Sequence, residues 1–307
     1  MTTAFKKSSG ITSQLVSSIL AIKPLANFAK YEARRMIIKH AEKIGLPWTK
    51  EVDKLKARNW EEEFKKVNNP QVSYPKYYIE SSFHAYEKSN LCWEAALEVE
   101  FAAIAVHSRI WKEAGIKGDA KLRQSYHDIV KAQMHESPRN ILDIGCGVGA
   151  STLALHMTYP PAEITGLDLS PYFLAVAHYR TQQFKSNINW VHAAAESTGL
   201  ANNAFDLVSM FLICHELPQS ATRHIYAEVR RLLRPGGYLT IMDMNPQAEA
   251  YKTMPPYILT LLKSTEPYID EYFTLDITKA LTEAGFNSTT IIPNSPRHRT
   301  IIARVCD

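Results

Sequence analysis

The second half of the chain alternates short apolar runs with segments whose apolar residues recur at helical spacing. The apolar runs predict strands near 140–144, 163–168, 188–193, 205–211 and 237–243, with helices near 150–158, 171–184 and 219–233 between them. Such alternation is typical of a parallel sheet with right-handed crossovers. A last helix near 275–284 and two strands near 287–292 and 299–305 predict a closing hairpin.

The first half of the chain predicts helices without intervening strands. They lie near 13–44, with an interruption or a new start at Pro24, then near 50–67 after an N-cap at Thr49, and near 91–114. Residues 71–90 between them are irregular and rich in aromatic side chains. We therefore divide the chain into an N-terminal helical cap region, residues 1–138, and a core, residues 139–307.

A glycine-rich turn follows the first strand of the core. Gly145, Gly147 and Gly149 allow tight backbone turns and let a ligand lie against the main chain, and the next helix aims its free N–H groups at that ligand. Asp168 ends the second strand 25 residues after Asp143, where a carboxylate suits the two hydroxyls of a ribose. The glycine spacing of this turn also matches the fingerprint of dinucleotide-binding proteins. The turn alone therefore does not decide which nucleotide cofactor is bound.

Two further motifs help to decide which cofactor the chain binds. Phe205–Phe211 predicts a fourth strand, and Arg234-Pro235-Gly236-Gly237 predicts the turn that opens a fifth. With these motifs in order, residues from about Arg139 to Val305 resemble the class I S-adenosylmethionine-dependent methyltransferases of small molecules. The resemblance implies an α/β fold: a doubly wound, mostly parallel seven-stranded sheet with helices on both faces. It also implies S-adenosyl-L-methionine as cofactor.

The resemblance assigns parts of the cofactor to parts of the chain. The glycine-rich loop is expected to hold the methionine, Asp168 the ribose and Leu169 one face of the adenine. Ala194 stands where many members have an aspartate that reads the adenine, so the backbone of Ala195, or Glu196, is expected to do so here. The cofactor residues expected on this basis are Asp143, Gly145, Cys146, Gly147, Gly149, Asp168, Leu169, Ala195, Glu196 and Phe211.

Methyl transfer depends mainly on the alignment of donor and acceptor, but an acceptor that loses a proton needs a base. His215 is the leading candidate because it lies just after the fourth strand, although it could equally well only pack or cap that loop. His84 is a second candidate, in an aromatic segment that could instead be a seam between domains. The acceptor-site residues expected from the aromatic segments are Tyr78, Tyr86, Trp93, Tyr257 and Tyr268.

Several function classes are disfavoured by the rest of the sequence. The motif His215-Glu216-Leu217-Pro218-Gln219 lacks the second histidine of a zinc protease, and four scattered cysteines make no zinc pair, so no metal site is predicted. Residues 1–139 hold 23 Lys and Arg against 16 Asp and Glu, and the remainder holds 12 against 15. The charges of the basic half are interspersed, without the basic stripe that nucleic acid requires.

No apolar run reaches the length of a membrane span, and the chain is expected to be cytoplasmic. The first 31 residues carry no acid, so organelle targeting or association with a membrane surface stays open. The region before residue 139 is expected to cap the carboxyl ends of the strands, with residues 74–93 as a lid over the acceptor.

We therefore predict a methyltransferase acting on oxygen, nitrogen or carbon of a small aromatic or apolar metabolite, with the oligomeric state left open. One alternative is an NAD(P)-dependent oxidoreductase, against which Asp143 and the Arg234–Gly237 turn argue. A second alternative is a catalytically inactive regulatory protein that binds the cofactor.

Overall fold

The computed structural model describes residues 23–81, 86, 89–184 and 188–306. Its sheet has seven strands in the order β3-β2-β1-β4-β5-β7-β6. The strands are β1 Asn140–Ile144, β2 Glu163–Asp168, β3 Ile188–His192, β4 Phe205–Phe211, β5 Leu233–Met244, β6 Ser288–Pro293 and β7 His298–Arg304. The positions agree with the predicted strands because buried parallel strands are continuous apolar runs that stand out in a sequence.

Strand direction distinguishes this sheet from a dinucleotide-binding sheet. Pairs β1–β2, β1–β4, β2–β3 and β4–β5 are parallel, whereas β7 is antiparallel to both β5 and β6. Among the seven described strands β7 alone is reversed, which confirms the predicted mostly parallel sheet. The order common in dinucleotide-binding proteins, 3-2-1-4-5-6, lacks such an inserted antiparallel strand. The fold therefore argues against the oxidoreductase alternative.

Six α-helices precede the sheet in the described part of the chain. They are α1 Lys23–Lys43, α2 Trp48–Lys56, α3 Glu61–Val67, α4 Lys76–Glu80, α5 Trp93–His107 and α6 Gly118–Gln133. The single helix predicted over 50–67 is two helices, because Asn59 accepts a hydrogen bond from the N–H of Glu61 and starts a second one. Thr49 is not an N-cap, since α2 already begins at Trp48 after Pro47.

The helix predicted over 91–114 ends at His107, and α6 was not predicted at all. Helix α6 covers one face of the sheet, where the buried Tyr126 hydroxyl lies 2.9 Å from Ser209 Oγ on β4 and 2.6 Å from Thr240 Oγ1 on β5. Burial on the sheet, rather than a clear apolar stripe, places this helix. It belongs to the region before residue 139 yet packs directly on the core.

Seven further helices follow within or after the sheet. They are α7 Ala150–Thr158, α8 Pro171–Phe184, α9 Gln219–Leu232, α10 Glu249–Lys252, α11 Pro256–Thr265, α12 Ile269–Thr274 and α13 Ile277–Glu283. Helices α7 and α8 pack on β2 and β3, while α9 and α13 pack on the strands β5 and β6. The largest buried cluster lies between β1, β4, β5 and helices α9 and α13.

The N-terminal helices are joined to one another through α5, which packs against α1, α2, α6 and α8. At the centre of this junction Glu98, only 1% exposed, accepts a hydrogen bond of 2.8 Å from Arg34 Nε on α1. Arg34 balances the buried charge of Glu98, and the pair ties α1 to α5. In the described part of the chain, every helix is too short or too polar to cross a bilayer.

Candidate active site

A cavity of about 520 Å³ opens at the carboxyl edge of the parallel strands. Its walls come from the glycine-rich loop, the ends of β2 and β4, the segment after β5, and helices α4, α5 and α6. Open α/β sheets bind their ligands at this edge, and the volume lies within the range of small-molecule sites. Most of the lining is apolar, so the polar groups in it define where a ligand is held.

The glycine-rich loop needs its glycines for different reasons. Gly145, Gly147 and Gly149 all have positive φ, at 68°, 54° and 81°. A Cβ atom at Gly145 would overlap Ile213, and one at Gly149 would lie 2.8 Å from Trp190 Cη2. At Gly147 no described atom lies within 4 Å of that position, and Gly147 lines the cavity. Gly147 therefore keeps the wall open for a ligand, whereas the other two permit close packing within the protein.

Asp168 connects this loop to the end of β2. Its carboxylate is buried and accepts hydrogen bonds of 2.8 Å from the N–H groups of Gly147 and Ser170, one on each oxygen. Burial raises the pKa of Asp168 to about 6 although these hydrogen bonds lower it. Each oxygen retains a lone pair, so the carboxylate can still accept from ligand hydroxyls in the cavity.

Asp143 lies behind the loop. It is fully buried, and its Oδ2 accepts from Ser151 Oγ at 2.6 Å and from Thr152 Oγ1 at 2.7 Å. Burial raises the pKa of Asp143 to about 6. Neither Asp143 nor Gly149 is among the described residues that line the cavity. Asp143 therefore holds the start of α7 against the loop.

The wall that continues from β2 brings together Leu169, Ala195 and Glu196. Glu196 accepts a hydrogen bond of 2.7 Å from the hydroxyl of Tyr77, which stands on α4 and lines the same cavity. Nearby, His192 Nδ1 accepts from the N–H of Asn69 at 2.9 Å, and its Nε2 lies 3.1 Å from the carbonyl oxygen of Leu169. These contacts hold the segment around α4 against this wall.

His215 faces the cavity from the short 3₁₀ turn Cys214–Glu216 that follows β4. Its Nδ1 lies 2.7 Å from Oδ1 of Asp243, a fully buried residue near the end of β5 that also accepts from the N–H of Met244. Its Nε2 lies 4.0 Å from Oε2 of Glu266. Asp243 thus fixes the ring and leaves Nε2 facing the cavity.

The acids around His215 determine its charge. Burial lowers the pKa of the imidazole, but the charge and hydrogen bond of Asp243, together with Glu266 and Glu216, outweigh burial and raise it to about 10. Burial raises the pKa of Glu216 to about 7 although the charge of His215 lowers it, and Asp168 and Asp243 raise it further. Without ligands the ring is therefore an imidazolium at neutral pH. A second cation bound in the same cavity would shift the ring toward its neutral form.

Comparison with known proteins agrees with this geometry. A family model described as a methyltransferase domain matches residues 141–237, which contain the glycine-rich loop, Asp168 and His215. The matched residues form a methyltransferase domain, as the resemblance to the class I, S-adenosylmethionine-dependent family implies. The recognition made from the sequence motifs is thereby confirmed.

The relatives of this methyltransferase domain differ in their acceptors. A phthiotriol/phenolphthiotriol dimycocerosates methyltransferase of Mycobacterium leprae is 34% identical over 37% of this chain and 41% of its own length. A ubiquinone biosynthesis O-methyltransferase of Aromatoleum aromaticum is 28% identical over 50% of this chain and 66% of its own length. The chain thus spans about two fifths of the first of these relatives and about two thirds of the second.

Solved structures support the methyltransferase fold. A putative S-adenosylmethionine-dependent methyltransferase of Methanococcus maripaludis has a TM-score of 0.52 at 20% identity and covers 72% of this chain and 97% of its own. The 4+2 cyclase SpnF has a TM-score of 0.53 at 17% identity and covers 74% of this chain and 96% of its own. Because the second is a cyclase, the methyltransferase fold does not by itself fix the reaction.

The other residues expected at the methyltransferase site are spread over the cavity and its surroundings. Tyr78, Cys146 and Phe211 line the cavity. Tyr86 is buried near it and donates to Glu98 at 3.3 Å, while Trp93 stacks on the ring of Trp60 at 5.7 Å in a separate aromatic cluster. The hydroxyl of Tyr268 lies 2.8 Å from Ser81 Oγ, and Tyr257 lies on α11. His84 lies outside the described residues.

Several polar residues of the cavity were missed in the sequence. Arg123 of α6 stacks its guanidinium 4.5 Å from the centre of the Phe211 ring and pairs with Asp119. Asn90 and Glu266 also line the cavity but come from segments far from the core motifs. Asp243, which holds His215, was missed as well. It alone could have been recognised from the sequence, because it is a carboxylate near the end of a buried strand, at the edge where ligands bind.

Proposed function

We propose that this protein is an S-adenosylmethionine-dependent methyltransferase that acts on oxygen, nitrogen or carbon of a small, largely apolar acceptor. The observation that carries the proposal is the cavity, which joins the glycine-rich loop and Asp168 to an apolar chamber faced by His215. Two relatives are named as methyltransferases of phthiotriol dimycocerosates and of ubiquinone biosynthesis. The proposal extends their general chemistry, rather than either acceptor, to this chain.

The described residues fit the cofactor. The open side of Gly147 leaves room for the methionine chain, and the free lone pairs of Asp168 suit the ribose hydroxyls. Leu169, Ala195 and Glu196 form the wall next to Asp168 and are assigned to the adenine. Arg123, beside Phe211, supplies a cation for the carboxylate of the methionine. When bound, the cofactor supplies an activated methyl group.

The acceptor is assigned to the side of the cavity around His215. Apolar side chains from α9, β5, α11 and the loops before the two helices line this side: Leu217, Ile225, Met244, Met254, Ile258 and Leu262. Such a lining favours an apolar acceptor. The His215 ring shifts toward its neutral form beside the cationic sulfonium of the bound cofactor. Nε2 is then the group placed to receive a proton from an acceptor hydroxyl or amine, and Asp243 stabilises the imidazolium that results.

The N-terminal helices are assigned to a cap that completes the site. Val99, Ala103, Val106 and His107 of α5 form one wall of the cavity, and Tyr77 of α4 bonds to Glu196 across it. Part of the expected lid, residues 82–85 and 87–88, lies outside the described residues. A cap of this kind excludes water from the reaction. Hydrogen exchange of residues 74–81 should therefore slow when S-adenosylhomocysteine and acceptor are bound, and unchanged exchange would argue against a lid.

Calorimetric titration of the purified chain tests the cofactor first. S-adenosylhomocysteine should bind and NADH should not, and the reverse result would restore the oxidoreductase alternative. Metabolite extracts incubated with the protein and a labelled methyl donor should then yield a labelled product. Cofactor binding without transfer to any extract component would favour the regulatory alternative.

A further inference from the structure

Three potential metal ligands meet at the acceptor side of the cavity. His215 Nε2 and one carboxylate oxygen each of Glu216 and Glu266 all lie within 4.8 Å of one another. They come from different parts of the chain, the 3₁₀ turn after β4 and the loop after α11, and all three residues line the cavity. Small side-chain movements would bring the three atoms to the separations found around one metal ion.

The histidine is oriented as metal-bound histidines are. Its Nδ1 is held at 2.7 Å by Asp243, which leaves Nε2 to face the two glutamates. Asp243 is itself fixed, because it accepts from the N–H groups of Met244 and of His215. In metal sites a carboxylate commonly binds the distal nitrogen of the ligand histidine and sets its tautomer. Asp243 occupies that position here.

A buried amide oxygen lies beside the same cluster. Asn90 is 5% exposed, lines the cavity, and hydrogen-bonds to Glu216 through its side chain. Its Oδ1 is buried and accepts no hydrogen bond from the residues that the structure describes. Because a buried acceptor without a donor is unfavourable, this oxygen points to a ligand that the protein binds. A cation or a cation-bound water satisfies it.

Electrostatics favours a cation at this point. Glu216 and Glu266 surround a single imidazole whose other nitrogen already faces Asp243. Carboxylates crowded in a low-dielectric cavity repel one another, and a divalent ion between them removes that repulsion. One nitrogen and two or three oxygens form a donor set that suits Mg²⁺ or Mn²⁺ better than the sulfur-rich sets of structural zinc.

We propose that His215, Glu216 and Glu266, supported by Asn90, bind one divalent cation of the Mg²⁺ or Mn²⁺ type that holds an oxygen of the acceptor. This inference rests on the proposed methyltransferase function and narrows the acceptor to one with a hydroxyl or enol oxygen. The cation lowers the pKa of the bound hydroxyl, which releases its proton to solvent water, so that the acceptor is presented as an alkoxide or phenolate. The cation displaces the proton of Nε2 when it binds, so in this arrangement Nε2 is a ligand rather than the base.

Direct measurement of metal binding tests the proposal. The full chain is treated with a chelator, exchanged into metal-free buffer and titrated with Mn²⁺, with free Mn²⁺ followed by electron paramagnetic resonance. One saturable site per chain is expected. Glu266→Gln and Glu216→Gln should each weaken it at least tenfold, while Glu249→Gln, which alters an exposed carboxylate on α10, should leave it unchanged.

Absence of a saturable site, or equal Mn²⁺ affinity in wild type and Glu266→Gln, would overturn the proposal. The same samples are titrated with S-adenosylhomocysteine. Cofactor binding without Mn²⁺ binding rejects the cation site alone, whereas loss of both in folded wild-type protein rejects the proposed function as well. Circular dichroism of each variant shows whether lost binding reflects lost folding.

Discussion

Replacing Asp168 by asparagine should separate cofactor binding from folding. Burial raises the pKa of Asp168 from 3.8 to about 6, so the ionised carboxylate costs the folded state about 3 kcal/mol at neutral pH. Asp168→Asn removes that cost. Its amide group must, however, face the N–H of Gly147 or Ser170, and one lost buried hydrogen bond costs about 1–3 kcal/mol. The two effects nearly cancel, and the free energy of unfolding should change by less than about 2 kcal/mol.

Cofactor affinity should respond differently. Hydrogen bonds from the ribose hydroxyls to a charged carboxylate contribute about 1.5–3 kcal/mol, so the Kd for S-adenosylhomocysteine should rise roughly 10- to 150-fold. Isothermal titration calorimetry at pH 7.5, where Asp168 is ionised, measures the affinity, and urea unfolding measures the stability.

Asp143→Asn is the matched control. Asp143 is as buried as Asp168 and its pKa is likewise raised to about 6, but it lies behind the glycine-rich loop. An asparagine oxygen can still accept from the hydroxyls of Ser151 and Thr152. The control should therefore bind S-adenosylhomocysteine within about threefold of wild type. Equal affinity in Asp168→Asn and wild type, or an equal loss in both variants, would refute the ribose assignment.

Four further substitutions test other parts of the site and fold. Gly147→Ala and Gly199→Ala both place a Cβ at positive φ with no described neighbour within 4 Å, so each should lose about 1–2 kcal/mol of stability. Only Gly147→Ala should also weaken S-adenosylhomocysteine binding by calorimetry. His215→Gln should lower turnover of the labelled-methyl assay roughly 10²- to 10⁴-fold with cofactor affinity retained, and near-normal turnover would limit His215 to packing. His127 of α6 is buried with its pKa lowered to about 4, so it stays neutral in the folded state while the unfolded chain is protonated below about pH 6.5. Stability should therefore fall by up to about 3 kcal/mol between pH 6.5 and 4, and His127→Gln should reduce that fall in urea unfolding.

The elements predicted correctly are those that a local pattern determines. Strands β1, β2 and β4 are apolar on both faces, and β6 and β7 flank a proline-containing turn. Helix α6 was not predicted, because its sequence is mostly polar and its position depends on the contact of Tyr126 with the sheet. A contact between residues more than 80 positions apart leaves no trace in local periodicity.

The residues of the candidate site likewise fall into those that a local motif identifies and those that only tertiary packing brings to the cavity. Gly147 and Asp168 could be recognised because one loop conformation and one strand end require those residue types. His215 was found from its place after β4. Arg123, Asn90 and Glu266 could not be found, because each reaches the cavity through tertiary packing from a segment with no motif of its own.

Acceptor choice should depend in large part on residues outside the matched methyltransferase domain. The matched domain, residues 141–237, contains the loop, Asp168 and His215, to which we assign the cofactor and the chemistry. Part of the acceptor side, formed by α11 and Glu266, lies outside that domain, and so does the wall that α5 adds to the cavity. Since the shape and polarity of these walls decide which molecule fits beside the methyl group, the acceptors of the relatives do not transfer to this protein. Variation in α5 and α11 should change acceptor preference while leaving cofactor affinity intact.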